Sequence, residues 1–361
     1  MVPTRSHSAA LLKRIRQIVL PSAAALAAVI FAWGFILSLS TADVRAEEVV
    51  SEEPLNGWVT ADDAVYFYID GAFVTGLQKI DGSLYYFSGE GVMQTGFVSV
   101  DGIRRYFRAD GTAIPKGWFK RNGVRYYSKG SGRLAVKPAK INGKVFMFRK
   151  NGSLKKTKGL FRYNGSEYFG SGTGTLRTGW RIVRRKYACY FNKANGRMIK
   201  DRRYRNVSFP GNGRLGKAYV RGIRFLNRHD WSLKKAFFAD VRSTKYAYHD
   251  MRRKSVESYA NFGFTKHRGN CFVFASQFYI CAKLLGYDVT QWDGYVTNRN
   301  NPHSWCSIRH KDGRVLIYDA SFQDGHSNRH PGAPTGFGFT EGTRGTWMYM
   351  KDYRTPVRSS S

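Results

Sequence analysis

The sequence predicts a multidomain protein, an N-terminal solenoid of β-hairpin repeats followed by an α+β domain. Three observations carry this. A motif of about twenty residues recurs from residue 56 to near residue 220. Its period then stops and helix-compatible segments begin. Beyond residue 270 an apolar helical pattern precedes two short β-prone runs. A chain of 361 residues is long enough for two or more such units.

Residues 1–46 read as a targeting segment. Arg5, Lys13, Arg14 and Arg16 precede an apolar run from Ile18 to Leu39, and Val44-Arg45-Ala46 offers small residues at the −3 and −1 positions of a signal-peptidase site. The expectation is cleavage after Ala46, with an uncleaved membrane anchor as the alternative. Either way the rest of the chain works outside the cytoplasm, at the cell wall or surface, and meets the membrane only through this segment. Residues 47–55 form a short acidic linker.

The four cysteines make no regular framework, so the fold is not expected to depend on disulfides; at most one bridge is plausible, for instance Cys281 with Cys306. The formal charge of +34 is unevenly placed. Residues 47–103 carry ten acidic side chains and one basic, whereas residues 104–220 carry thirty-one basic and three acidic. The second stretch attracts polyanions by its summed field. For an exported protein these are anionic wall polymers or acidic glycans before nucleic acid.

The repeat is marked by the pairs Tyr66-Phe67, Tyr86-Phe87, Tyr106-Phe107, Tyr126-Tyr127, Met147-Phe148, Tyr168-Phe169 and Tyr190-Phe191, whose second members lie 20 to 22 residues apart. A glycine follows each pair, as at Gly91, Gly111 and Gly152, and Gly57-Trp58, Gly117-Trp118 and Gly179-Trp180 precede some of them. Turn dipeptides such as Asp81-Gly82, Asp101-Gly102, Asn122-Gly123 and Asn142-Gly143 fall between short apolar runs. Asn-Gly and Asp-Gly there signal tight hairpins, because the turn needs positive φ at both central residues. A single hairpin buries no core, so successive ones must stack.

These residues resemble the cell-wall-binding repeats of Gram-positive surface proteins, of choline- and glucan-binding type. The resemblance covers seven units and a degenerate eighth around Phe209 to Leu215. It implies a cell-wall glycan, choline or an anionic wall polymer as partner, with Trp58, Tyr66, Tyr86, Trp118, Tyr127 and Trp180 as ligand-binding rings, since ring faces hold quaternary ammonium groups. Leu77, Phe97 and Leu160 replace the tryptophan in other units, and Lys137-Pro138 and Lys200-Asp201 break the motif. The acidic first units suit choline best; the basic ones suit a polyanion or neutral glycan.

From residue 221 to 361 the chain reads as the α+β domain. Trp231 to Tyr248 is helix-compatible, Lys254 to Tyr259 continues a helical region, and Phe264 to Asn270 reads as a loop. From Cys271 the residues Phe274, Phe278, Cys281 and Leu285 share one helical face, and Gly286 is a natural stop. Cys271 is thereby expected at a helix N-terminus, where free N–H groups and the macrodipole favour a negative charge. His303 and Asp319, 16 residues apart on two strands joined by a turn, can lie side by side. A thiol, a histidine to take and return its proton, and a carboxylate to orient that histidine make up an acyl-transfer set. Trp305 is expected to pack beside the imidazole.

Cys271, His303 and Asp319, with Gly269-Asn270, Phe274-Ala275, Leu285-Gly286-Tyr287, Gly294, Ser304-Trp305 and Tyr318-Ala320-Ser321, resemble the transglutaminase-like (papain-like) superfamily. The resemblance spans about residues 230–325. It implies a thiol peptidase or acyltransferase with Cys271 as nucleophile, His303 as general base and acid and Asp319 as orienting residue. Neither cofactor nor metal is expected, since a set of Cys271, Cys281, His303 and Cys306 with cysteines ten apart fits structural zinc poorly. Its substrate would be a peptide or protein acyl donor. Ala320 stands where the superfamily often has proline, and the side chain that completes the oxyanion hole is not legible. The competing expectation is a non-catalytic adhesin that binds wall, glycan or polyanion and carries an inert C-terminal domain.

Overall fold

The computed structural model describes residues 54–248, 254–297, 302–350 and 354–359. Every described residue belongs to one compact unit, Pro54–Ser361. The targeting segment, its cleavage site, residues 47–53 of the linker and His249 lie outside the described residues.

The repeats are antiparallel hairpins: Gly57–Ala61 with Ala64–Ile69, Gly76–Ile80 with Ser83–Phe87, Gly96–Val100 with Ile103–Phe107, and Gly117–Arg121 with Val124–Ser128. Their two-residue turns take positive φ at both positions, as at Asp81 (47°) and Gly82 (77°), which matches the twist of the flanking strands. Each hairpin is tied to the one before it. The Met93 amide donates to the Val65 carbonyl at 2.7 Å, Ala113 to Leu84 at 2.7 Å, Leu134 to Arg104 at 2.8 Å and Leu154 to Arg125 at 2.8 Å. This stacking explains the periodic glycine. A Cβ at Gly111 would collide with the Met93 thioether, and one at Gly91 with the Phe73 ring.

The period is not uniform. Ala139–Ile141, Lys144–Phe146, Thr175–Leu176, Ser166–Ser171 and Lys158–Tyr163 join in one five-stranded sheet. The last hairpins, Gly179–Val183 with Tyr187–Phe191 and Arg202–Tyr204 with Val207–Phe209, pair as two-stranded units.

The C-terminal region combines helices with an antiparallel sheet. Helix α1 (Lys217–Arg228), α2 (Leu233–Ser243) and α3 (Val256–Lys266) pack against α4 (Cys271–Leu285). The sheet runs in the order Phe337–Phe339, Val315–Tyr318, Pro302–Arg309, Asp288–Tyr295, Thr355–Pro356. Helix α4 lies between this sheet and the other helices and is buried on nearly every side, not on the single face its apolar spacing predicts. Phe274, Phe278 and Cys281 are buried, whereas Leu285 is half-buried. Among the described residues no helix is long and apolar enough to cross a membrane.

Three further expectations change. The predicted loop from Phe264 to Asn270 begins inside α3 and continues as a short strand, Arg268–Gly269, parallel to Lys245–Tyr246. The expected boundary at residue 220 falls inside α1. One apolar core runs from Trp180, Tyr190, Val207, Phe209 and Leu215 into α1, α2 and α4, because two-stranded hairpins cannot bury both faces by themselves. Cys281 and Cys306 are both free thiols, and Cys306 Sγ donates to the Ala275 carbonyl at 3.2 Å.

Candidate functional site

The structure brings Cys271, His303 and Asp319 together. Cys271 is the first residue of α4, with extended Asn270 before it as the N-cap. His303 lies on the strand Pro302–Arg309, paired in register with Gly294. Asp319 follows the neighbouring strand Val315–Tyr318 and caps the short helix α5 (Ala320–Phe322). The His303 Nε2–H donates to Asp319 Oδ2 at 2.6 Å, and Cys271 lies near enough to the same ring to raise its pKa. Nδ1 is the nitrogen that remains for the thiol. All three side chains are buried.

The Asp319 carboxylate is fully engaged. Tyr349 Oη donates to Oδ2 at 2.8 Å, while Oδ1 accepts from the Ser321 amide (3.1 Å), the Ser321 hydroxyl (2.9 Å) and the Phe322 amide (2.9 Å). Burial works to raise its pKa, yet the imidazole, the Phe322 amide and the Tyr349 hydroxyl hold it below the ordinary carboxylate range. Burial likewise opposes a charge on His303, but Asp319 and Cys271 on either side overcome it and push its pKa up to about 10. Trp305 stacks on the imidazole at 6.1 Å and 13°, as expected, and Trp347 meets it edge-on at 4.9 Å.

A cleft of about 290 Å³ opens beside the ring, lined by Tyr246, Pro302, His303, Asp324, Arg329 and Trp347. Sequence reasoning missed four of these surroundings: Tyr246, Arg329, Trp347 and Tyr349. Tyr246 lies level with Gly269 through the parallel bridge, two residues from Cys271. Burial, and then the nearby Cys271 and Asp319, push its pKa to about 12, so it keeps a proton to donate. The signal that could have found it is its place in Lys245-Tyr246-Ala247-Tyr248, the last β-compatible stretch before the thiol helix. Tyr349 and Trp347 carried no signal, because only the returning chain places them. The other three cysteines are buried thiols. Burial pushes the Cys189 thiol up to about 12 and those of Cys281 and Cys306 well above their ordinary value. His326 stacks on Phe322 at 5.0 Å and on His330 at 4.4 Å, away from the hydrogen-bonded set.

The repeat rings form a second candidate site. Trp58 meets Phe67 at 5.0 Å and 70°, Tyr85 at 4.9 Å and 63° and Phe87 at 6.0 Å and 34°. Trp118 meets Tyr127, Phe146 and Phe148 at 5.2, 4.8 and 5.8 Å and 65°, 69° and 32°. These are the same cup built twice. Tyr85, not the expected Tyr86, is the ring presented to Trp58; Tyr86 stacks instead on Phe107 at 6.1 Å, because alternate strand residues face opposite sides. Tyr66 contacts Tyr68 at 6.4 Å.

The cups differ in charge. Burial raises the Tyr85 pKa, and the Asp110 and Asp81 carboxylates raise it further, so the first cup sits in a negative field. Over Trp118 the Arg125 guanidinium lies 4.6 Å from the ring centroid. The third expected ring, Trp180, is not open in this way. Its indole N–H donates to the Leu284 carbonyl at 2.8 Å, and its ring stacks on Phe209 at 5.7 Å.

Residues 74–114 match the family model of the choline-binding repeat, and the chain carries choline-binding repeats there. Among curated proteins no sequence matches the chain. Similar solved structures include CbpJ from Streptococcus pneumoniae TIGR4, at 22% identity over 44% of this chain and 57% of that chain with a TM-score of 0.31. Choline binding protein F from Streptococcus pneumoniae is 22% identical over 45% of this chain and 58% of its own, with a TM-score of 0.31. The choline binding domain of Spr1274 in Streptococcus pneumoniae is 34% identical over 22% of this chain and 93% of its own, with a TM-score of 0.20. The chain thus spans less than three fifths of the first two structures.

Proposed function

We propose that this protein is an exported, wall-attached thiol enzyme that forms an acyl-thioester on Cys271 and hydrolyses or transfers peptide or glutamine acyl groups. The observation that carries the reading is the buried His303–Asp319–Tyr349 hydrogen-bonded chain with Cys271 beside the imidazole and an open cleft next to it. The thiol gives its proton to His303, and sulfur attacks the acyl carbon while Asp319 stabilises the imidazolium. The carbonyl oxygen gains negative charge near the first-turn amides of α4 and the Tyr246 hydroxyl. His303 then protonates the leaving amine as the C–N bond breaks. In the second half, water or an amine loses a proton to His303, attacks the thioester carbon and releases the thiolate.

Trapping with iodoacetamide tests the reading, followed by peptide mapping. Cys271 is expected to alkylate far faster than Cys189, and His303→Ala should abolish that difference. Equal rates for the two cysteines in the wild type would refute it.

A second reading is favoured by one specific observation, the matched ring cups on choline-binding repeats. In it the array does the work and the C-terminal domain is inert. The Trp58 cup takes a quaternary ammonium, since its rings offer faces and Asp81 and Asp110 supply negative field. Both readings place the protein at the cell wall. A Cys271→Ala variant separates them, because undiminished biological activity would leave binding alone.

A further inference from the structure

A cleft of about 560 Å³ lies where the last repeat hairpins meet the C-terminal domain. Trp180, Tyr190 and Trp231 line it with Arg181, Lys193 and Arg205. Its aromatic wall includes Trp180, which meets Tyr190 at 5.2 Å and 76°. In place of a carboxylate-rich surround it has three cations, none of which forms an ion pair among the described residues.

Two of these cations are held by hydrogen bonds, Arg205 from an exposed position. Arg205 donates from Nη1 to Tyr190 Oη at 3.1 Å and from Nη2 to the Leu285 carbonyl at 3.3 Å, and its guanidinium lies 5.7 Å from the Tyr190 ring centroid. Arg181 is half-buried, and its Nη1 donates to the Trp180 carbonyl at 2.8 Å. Its Nε is buried with no hydrogen-bond partner. Burial lowers its pKa and the like charge of Arg177 lowers it further. A partly buried cation beside the like charge of Arg177, with no ion pair among the described residues, is held at a cost that a bound anion reduces.

We propose that this junction cleft is a binding site for an anionic glycopolymer segment, a sugar or polyol unit carrying a phosphodiester or carboxylate oxyanion. The oxyanion sits between Arg181, Lys193 and Arg205, where guanidinium donors form charge-assisted hydrogen bonds. The sugar or polyol packs on Trp231 where it lines the cleft. The site deepens the wall-binding reading of the repeats and rests on it for the class of ligand. It would also seat the wall polymer at the C-terminal end of α4, the helix whose first residue is Cys271.

The test is a titration of the full chain, carrying Cys271→Ala so that no turnover intervenes, with a glycerol-phosphate oligomer and separately with an oligogalacturonate at physiological salt. Tryptophan fluorescence and calorimetry read binding. At least one of the two is expected to bind, the stronger one identifying the oxyanion. Arg181→Gln plus Lys193→Gln should weaken it about tenfold or more, against less than about threefold for Lys120→Gln plus Lys150→Gln, which removes the same charge from exposed sites elsewhere. Lys193 is exposed, so Lys193→Gln alone keeps the test readable if the arginine variant fails to fold. Binding of neither oligomer, equal losses in the two double variants, or displacement by excess choline would each overturn the proposal. Retention on choline resin measured alongside distinguishes its failure from that of the array reading, since retained choline binding leaves the latter standing.

Discussion

Replacing Arg125 by alanine should give this protein a second choline site. The cups at Trp58 and Trp118 agree within about 6° and a few tenths of an ångström in ring geometry, so their difference lies in charge. The Arg125 guanidinium, 4.6 Å from the Trp118 centroid, acts as an internal ligand on the face a quaternary ammonium would use. A cation–π contact of about 1 kcal/mol at a wet site, or about 2 kcal/mol when desolvated, gives an internal occupancy constant of about 5 to 30. Competition of that size weakens choline at Trp118 about 6- to 30-fold, and the like charge of the arginine weakens it further. Calorimetric titration of the wild-type chain with choline is expected to show one site class, removed by Trp58→Ala. Arg125→Ala should add a second of similar affinity, removed again by Trp118→Ala. A single site in Arg125→Ala, or wild-type binding indifferent to Trp58→Ala, would show that ring geometry and local charge do not decide occupancy.

Other outcomes follow from the C-terminal domain. Asp240 is fully buried, accepts one bond from Thr244 Oγ1 at 3.0 Å and has Oδ2 unpaired; burial pushes its pKa up to about 8. Because that exceeds the unfolded value, its contribution is fully present below about pH 4 and is lost as pH rises to 8, by roughly 4 kcal/mol between pH 4 and pH 7. Asp240→Asn should therefore flatten the fall in melting temperature over this range, and an unchanged pH profile would refute the assignment. Tyr349→Phe removes one of the hydrogen bonds on the Asp319 carboxylate. It should slow alkylation of Cys271 severalfold, with a melting temperature lowered by only about 1 kcal/mol equivalent; an undiminished rate would show that Tyr349 does not position the set. Trp180→Ala should destabilise the C-terminal domain by about 3–5 kcal/mol, since Trp180 belongs to that core and bonds Leu284. Unchanged melting of the domain would mean that the last repeat folds independently of it.

The hairpins were legible because their causes are local. Asp81-Gly82 and its counterparts dictate the turn, and alternation dictates which side chains share a face. The thiol site was legible as an order of residue types with a helix start before Cys271 and a turn between His303 and Asp319. Its supports were not. Tyr349 reaches Asp319 from 30 residues further on, and the parallel bridge that sets Tyr246 level with Gly269 joins segments more than twenty residues apart. The repeat rings divide in the same way. Sequence identified Trp58, Trp118 and Trp180 as equivalent, and equivalent they are in motif.

Sequence by itself determined the hairpin period, the positions of the aromatic rows and the presence of one cysteine at the head of an apolar helix, because each depends on residues close along the chain. Only tertiary structure decided what each ring and each charge faces. Stacking of one hairpin on the next left the Trp58 cup in the field of Asp81 and Asp110 and set Arg125 over Trp118. Docking of α4 against the last hairpins spent the Trp180 indole on Leu284 and left Arg181 beside a cleft without a counter-charge. Charge and access are sums over neighbours distant in sequence, and those neighbours are chosen by packing.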